Sequence, residues 1–223
     1  MSSGAAWQSS AVRQSVRLDR PFFARPACVV APDLLGCCLH TGFDATSVSG
    51  RIVETEAYAG PADLASHAAR LAKGRLVMAG PPGIAYVYRS YGIHAMFNVV
   101  CAPNGEHGAV LIRALAPIEG SSSMATRRGG DRVGRDLCSG PGRLCQAMGI
   151  FLEHDGTDVI ESDLIWLTTG QPPSEIWVSS RIGISRARET PWRFFDPASP
   201  CVSAHRRGIA FDAGGSMLGD GVR

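Results

Sequence analysis

Lysine is almost absent from this chain of 223 residues: all but one of its 22 basic side chains are arginine, the exception being Lys73. Arginine suits bidentate phosphate contacts and stacking on flat rings. A GC-rich coding bias gives the same skew, so composition alone does not choose between the two. Net charge is also small, +2, which by itself says little about nucleic acid. There is no close Cys-x-x-Cys pair, and seven irregularly spaced cysteines exclude the even framework of a disulfide-stapled secreted domain. Cys37 and Cys38 lie in an apolar run and read as core. The histidines and scattered cysteines form no defensible zinc site. No long apolar run opens the chain, so neither a signal peptide nor a membrane span is expected, and a cytoplasmic setting fits.

Hydrophobic residues make up 45% of the chain, enough for one sizeable core. The 26 glycines and 14 prolines imply many turns and speak against a helical bundle. Residues 1–18 read as a loose tail, 19–208 as the domain and 209–223 as a weakly ordered tail. Pro32 and Asp33 open either a short helix or a strand through Leu34 to Leu39, weakened by Gly36. Thr46 to Tyr58 reads as a strand whose alternation puts Ile52, Glu54, Glu56 and Tyr58 on one face and Val53, Thr55 and Ala57 on the other. Two glutamates on an otherwise apolar face are costly if buried and unpaired. Either that face is exposed, or arginine pairs with them, or a site requires them. Asp63 caps a turn that carries Ser66 and His67, and residues 68–83 read as a loop. Ile84 to Tyr88, Ala95 to Cys101 and Ala109 to Leu115 are three strands joined by short turns, hence a mainly antiparallel sheet. Their spacing leaves no room for repeated crossover helices, which excludes a Rossmann arrangement. Leu144 to Phe151 reads as a helix, and Leu164 to Leu167 and Ile176 to Val178 as later strands.

The chemistry-bearing residues gather in two strings. RIVETEAYAGPADLASH, Arg51 to His67, sets acidic groups beside a tyrosine and a histidine. YVYRSYGIHAMFN, Tyr86 to Asn98, holds three of the chain's four tyrosines. With LLG at Leu34, GPPGIAYVYRSYGIH at Gly80, LIRALAPIEG at Leu111, RR at Arg127, SGPGRLCQAMGI at Ser139, RIGI at Arg181 and PWRFF at Pro191, they form an ordered series. This series resembles the alkyladenine DNA glycosylase family, the 3-methyladenine DNA glycosylases of mammalian type.

The resemblance covers roughly residues 20 to 205 and rests on several long motifs in order. It implies an α+β fold, a single mixed domain around a curved, mainly antiparallel sheet. It implies a partner, double-stranded DNA containing damaged purines, and no membrane. The implied reaction flips the purine into a pocket and hydrolyses its N-glycosidic bond, without metal or redox cofactor. Substrates would be 3-methyladenine and 7-methylguanine, with hypoxanthine and ethenoadenine in some members. A one-lesion pocket needs no dimer, so a monomer is expected.

By position, Glu56 matches the water-activating carboxylate and Arg113 the arginine that holds it. Tyr58, His67, Tyr88 and Asn98 match the base pocket, and Tyr91 the residue that fills the hole left in the duplex. Arg127, Arg128 and the SGPGR turn from Ser139 to Arg143, with Gly142 and Arg143, are phosphate-contact candidates, because a glycine-rich turn can hold an anion and arginines add salt-dependent affinity; Arg143 and one of the Arg127/Arg128 pair are favoured. On the residues alone Tyr58 reads as a core aromatic, His67 as a turn histidine and the arginines as ordinary surface groups. The sole lysine is a poor nucleophile candidate, so no strand-cleaving activity is expected. The stretch HAARLAKGRLVMAG departs from the family: Leu71 stands where glycine is common, Leu76 where asparagine is, and Ala79 where phenylalanine is. Two other readings stay open, a binding-only relative and a hydrolase of free nucleosides.

Overall fold

The computed structural model describes residues 15–43, 46–103, 105–203 and 207–212. Two short helices open it, α1 (Arg20–Phe23) and α2 (Ala27–Asp33). Asp19 caps α1, its carboxylate accepting from the Phe22 amide at 3.0 Å. Pro32 and Asp33 end a helix rather than open one. The chain turns at Gly36, which has φ +91°, and enters strand β1 (Cys38–Phe43). A Cβ on Gly36 would lie 2.2 Å from the Gln171 carbonyl oxygen, so both the angle and the space require glycine.

The long strand β2 (Thr46–Tyr58) leads to two further helices, α3 (His67–Arg70) and α4 (Ala72–Met78). They occupy most of the 68–83 stretch expected as a loop. Ser66 caps α3, accepting from the Ala68 amide at 3.1 Å, and Asp63 accepts from the Ala65 amide in the preceding turn. Strands β3 (Ala85–Ser90), β4 (His94–Val100) and β5 (Ala109–Glu119) follow as a meander. Three helices come next, α5 (Ser121–Arg127), α6 (Arg135–Cys138) and α7 (Pro141–Met148). The helix read over 144–151 therefore starts and stops earlier: Pro141 takes a first-turn position and Gly149, at φ +74°, ends it. The chain closes with β6 (Ile165–Thr168), β7 (Trp177–Ser179), β8 (Arg193–Phe195) and β9 (Ile209–Ala210).

The strands form one open, mainly antiparallel sheet in the order β3-β4-β5-β2-β8-β7-β9, neither closed nor strongly curled. Strand β1 pairs with the first half of β2 and with β6. The fold is α+β, as expected. Arg17 bridges Thr168, Leu18 is buried, and β9 pairs with β7. Residues near both ends thus join the sheet where composition suggested tails; 1–14 and 213–223 lie outside the described residues. Among the described residues no helix is long and apolar enough to cross a membrane.

One face of the sheet carries the main core, which joins Val30 and Leu34 beside α2, Ile52, Val87, Phe97 and Ile112 from the strands, and Leu144 and Met148 of α7. The other face carries two smaller clusters. Val53, Ala114, Phe195, Cys201 and Val202 form one, and Ala68, Met78, Tyr86, Val100 and Ala109 the other. A pair of bulges explains why alternation alone misplaces Ile52. Between β2 and β5, Ile52 pairs with Leu115 and Glu54 with Ala114, leaving Val53 extra, and Thr55 then pairs with Ile112, leaving Arg113 extra. An extra residue inverts the alternation locally. Ile52 therefore packs in the main core, and Val53 lies on the face of Glu54.

Gly36→Ala is expected to cost about 3 kcal/mol of stability through a strained backbone and a blocked approach, read by chemical unfolding.

Candidate active site

The register draws a row across five strands. Tyr86 stands opposite Asn98, Asn98 opposite Leu111, Leu111 opposite Glu56, and Glu56 opposite Arg193. Directly opposed residues share a face. This row therefore gathers, on one side of the sheet, side chains that are 137 positions apart at the extreme only in sequence. Above it lies a cavity of about 560 Å³. Its walls include Tyr58, His67, Tyr86, Tyr88, Asn98 and Arg113, and Tyr91 and Pro141 stand among its lining. Residues 182–185, a loop between β7 and β8, complete the wall.

Both glutamates of β2 are fully buried, and neither is unpaired. Glu54 Oε1 accepts from Arg113 Nε at 2.9 Å, Arg193 Nε at 2.7 Å and Ser203 Oγ at 2.8 Å, while Oε2 accepts from the Ser203 amide at 2.7 Å. Burial pushes its pKa up, but Arg113 and Arg193 outweigh that and hold it below the usual value. Glu56 is held differently. Its Oε1 accepts from the Ile182 amide at 2.6 Å and lies 3.2 Å from Arg113 Nη1. Its Oε2 accepts from the Tyr58 hydroxyl at 2.8 Å. Arg113 thus bridges both carboxylates. Burial works against its charge, and the two glutamates more than restore it.

The aromatic walls are built from β2 and β3. Burial, then the negative charge and hydrogen bond of Glu56, push the Tyr58 hydroxyl well above its usual pKa, so it stays a donor. Tyr86 and Tyr88 sit 5.4 Å apart between ring centroids, and His67 packs edge-on to Tyr88 at 4.3 Å. Burial pushes both Tyr86 and Tyr88 to about 12. His67 Nδ1 is 2.8 Å from the Tyr86 hydroxyl. Burial, helped by Arg70, lowers the His67 pKa, which keeps the ring neutral at pH 7. Asn98 donates from Nδ2 to the carbonyls of Tyr86 at 3.0 Å and Met96 at 3.4 Å, fixing its orientation within the sheet.

Tyr91 forms the tip of the β3–β4 hairpin, 83% exposed, with φ +48°. Ile93 beside it is 76% exposed, a second apolar projection that the sequence reading did not single out. The N-terminal end of α7 lies beside this hairpin: a Cβ on Gly142 would come within 3.0 Å of the His94 ring. Arg143 is exposed there, 4.0 Å from Asp136. Arg127 and Arg128 are placed at the opposite end of α7, about 12 Å of helix away. Arg127 donates to the Ala147 carbonyl at 3.1 Å and Arg128 to the Gln146 side chain, so both brace the end of that helix. Lys73 lies outside the main cavity, exposed and 3.4 Å from Asp155. Among the described residues no three His, Cys, Asp or Glu side chains gather as a metal site, and all seven cysteines are free.

A family model described as methylpurine-DNA glycosylase matches residues 21–200. The chain belongs to the methylpurine-DNA glycosylase family. It is 44% identical over 196 residues to a protein of Methanocella arvoryzae, covering 86% of this chain and 98% of that one. It is 48% identical over 189 residues to one of Granulibacter bethesdensis, covering 83% and 86%, and 48% over 164 residues to one of Rubrobacter xylanophilus, covering 73% and 84%. All three are named as candidate 3-methyladenine DNA glycosylases.

Within this glycosylase fold the strings RIGI and PWRFF carry contacts that no local pattern announces. Arg193 comes to Glu54 across 139 positions, and the Ile182 amide comes to Glu56 across 126. Arg181 and Asp63 form a buried bidentate pair behind Tyr58. Sequence alternation marks both glutamates as needing partners; the resemblance offers Arg113 for Glu56, and the structure has it reach both.

Because the folded state holds Glu54 below its ordinary value of 4.5, its contribution to stability is complete above that pH and fades as pH falls through the lowered value. Glu54→Gln should therefore flatten the acid side of the stability–pH curve. At pH 7 it should cost about 3–5 kcal/mol by leaving Arg113 and Arg193 buried without their shared carboxylate. Urea unfolding from neutral pH down to well below the ordinary value of 4.5 reads both effects.

Proposed function

We propose that this glycosylase flips an alkylated or deaminated purine from duplex DNA into the cavity and hydrolyses its N-glycosidic bond, leaving an abasic site. The observation that carries the reading is the state of Glu56. It is a fully buried carboxylate that accepts from the Ile182 amide on Oε1 and the Tyr58 hydroxyl on Oε2 and pairs with Arg113, and these three partners line a cavity walled by tyrosines. The open lone pair of Oε2 is the acceptor for an attacking water. Glu56 takes that water's proton as its oxygen bonds to C1′, and the C1′–N bond electrons leave with the base. In 3-methyladenine and 7-methylguanine the base is cationic in the DNA and leaves neutral, so no strong acid is required; hypoxanthine and ethenoadenine, uncharged in the DNA, leave neutral only on taking a proton from solvent. A neutral His67 is consistent with that economy.

Tyr58 and Tyr88 are read as the stacking walls, each base–aromatic contact being worth roughly 1–3 kcal/mol. That offsets much of the few kcal/mol that unstacking costs. Asn98, fixed by its two carbonyl partners, excludes purines whose edge does not match it. Tyr91 fills the space left in the duplex. Arg143 and the 140–143 turn hold phosphate, while Arg127 and Arg128 have helix-bracing partners and contribute less. The cavity walls named here all belong to one chain, so the proposed chemistry requires no second copy. With Lys73 outside the cavity the enzyme is monofunctional, and 3-methyladenine, 7-methylguanine, hypoxanthine and ethenoadenine are its candidate substrates.

The decisive assay is release of 3-methyladenine from methylated duplex, wild type against Glu56→Gln, with an expected loss of about 10²–10⁴-fold. Binding without release by folded wild type would favour a binding-only relative, and equal turnover of free nucleosides would favour a nucleoside hydrolase. In the same duplex, Arg143→Gln should lower the slope of log affinity against log salt by about 0.9, with release at saturating enzyme unchanged.

A further inference from the structure

Asp63 and Arg181 are 118 positions apart and meet with almost no exposure, 3% and 0% of their side chains. The contact is bidentate, Arg181 Nη1 to Oδ2 at 2.6 Å and Nη2 to Oδ1 at 2.8 Å. Asp63 is itself fixed, accepting from the Ala59 amide and the Ala65 amide, each at 3.1 Å. Arg181 makes a third hydrogen bond, to the Ala57 carbonyl at 2.9 Å on β2. Its guanidinium carbon lies 4.8 Å from the Tyr58 ring centroid and 5.3 Å from that of Trp192. The residue that follows donates its amide to Glu56 Oε1 at 2.6 Å.

These contacts form one mechanical chain. The loop 182–185 has no regular secondary structure, and Gly183 within it has φ +78°. Nothing in its own backbone fixes where the Ile182 amide points. What fixes it is the guanidinium one residue earlier, clamped to Asp63 and to β2. The same guanidinium stands against Tyr58, whose hydroxyl donates to the other oxygen of Glu56. Two of the three groups that orient the Glu56 carboxylate are therefore set by Arg181.

We propose that Arg181, locked by Asp63, is a positioning residue for hydrolysis, acting through the Ile182 amide and Tyr58 to orient the Glu56 carboxylate. This rests on the reading of Glu56 as the water-activating group. A buried ion pair alone predicts loss of stability when it is broken. A positioning role predicts loss of rate that disappears once Glu56 can no longer act.

The test uses Arg181→Lys, which keeps the charge but not the bidentate clamp, and Asp63→Asn as a second variant should the first not fold. Single-turnover release of 3-methyladenine at saturating enzyme should fall about 10–100-fold, the scale of an ångström's misplacement. Affinity for duplex carrying a stable abasic analogue should stay within about threefold, and Arg181→Lys added to Glu56→Gln should lower the residual rate by less than about twofold. Independently of activity, the Ile182 amide proton in ¹⁵N-labelled protein should move upfield in Arg181→Lys, as it loses a short charge-assisted bond. An unmoved Ile182 amide, an unchanged rate, or equal fractional losses in both backgrounds would overturn the proposal. Absence of release by wild type, with the amide shift seen, would instead remove the enzymatic reading and leave the clamp standing.

Discussion

Glu54 and Glu56 lie two residues apart on the central strand with no solvent to share their charge, and Arg113 stands between them at 2.9 and 3.2 Å. Stripping an ion of water costs several kcal/mol, so this arrangement survives only with close counter-charges and filled lone pairs. The structure meets that condition with six buried groups, the carboxylates of Glu54, Glu56 and Asp63 and the guanidiniums of Arg113, Arg181 and Arg193. The three positive and three negative charges balance among themselves. They also tie the turn after β2 and the loop between β7 and β8 to β2, β5 and β8, strands already joined by their ladders.

The two carboxylates are not equivalent, and the difference lies in their donors. Glu54 receives four, from two arginines and from both the hydroxyl and the amide of Ser203, and has no room for a further partner on Oε1. Glu56 accepts two hydrogen bonds, from the Ile182 amide on Oε1 and the Tyr58 hydroxyl on Oε2, and pairs with Arg113. Three donors crowd Glu54 Oε1, whereas the partners of Glu56, namely Tyr58, Arg113 and Ile182, all line the cavity. That placement argues for Glu54 as the anchor of the network and, on the proposed reading, for Glu56 as the reactive carboxylate.

Much of this was legible in the sequence, for reasons that can be stated. The alternation of Glu54, Glu56 and Tyr58 on a strand is a local property, and so is the YVYRSYG hairpin with its short turn. The antiparallel meander follows from the short spacing of its strands. Ile52 was misplaced because paired bulges reverse the alternation, and a bulge has no signature in VETE. The 68–83 stretch was read as a loop from its AGPPG string, which lies after the two helices rather than within them. Gly74 is tolerated in α4 since a Cβ there would meet His67 at 2.7 Å, a packing demand that overrides helix propensity. The contacts of Arg181, Ile182 and Arg193 span more than a hundred positions and obey no period, so no window of sequence could announce them.

The hairpin tip obeys a different constraint. Tyr91 and Gly92 both have positive φ, +48° and +74°, as turns compatible with strand twist require. Glycine adopts that angle freely, but tyrosine does so at a cost of about 1–2 kcal/mol. A Cβ on Gly92 would meet nothing within 4 Å, so space does not dictate these residues. An isolated fold gains nothing from a strained, 83% exposed tyrosine flanked by a 76% exposed isoleucine. Covering these side chains would offset that cost, and Tyr91 itself stands in the cavity lining. On the reading proposed above, a duplex with one nucleotide turned out of its stack offers an apolar gap of that kind, and filling it would compensate the strain at Tyr91.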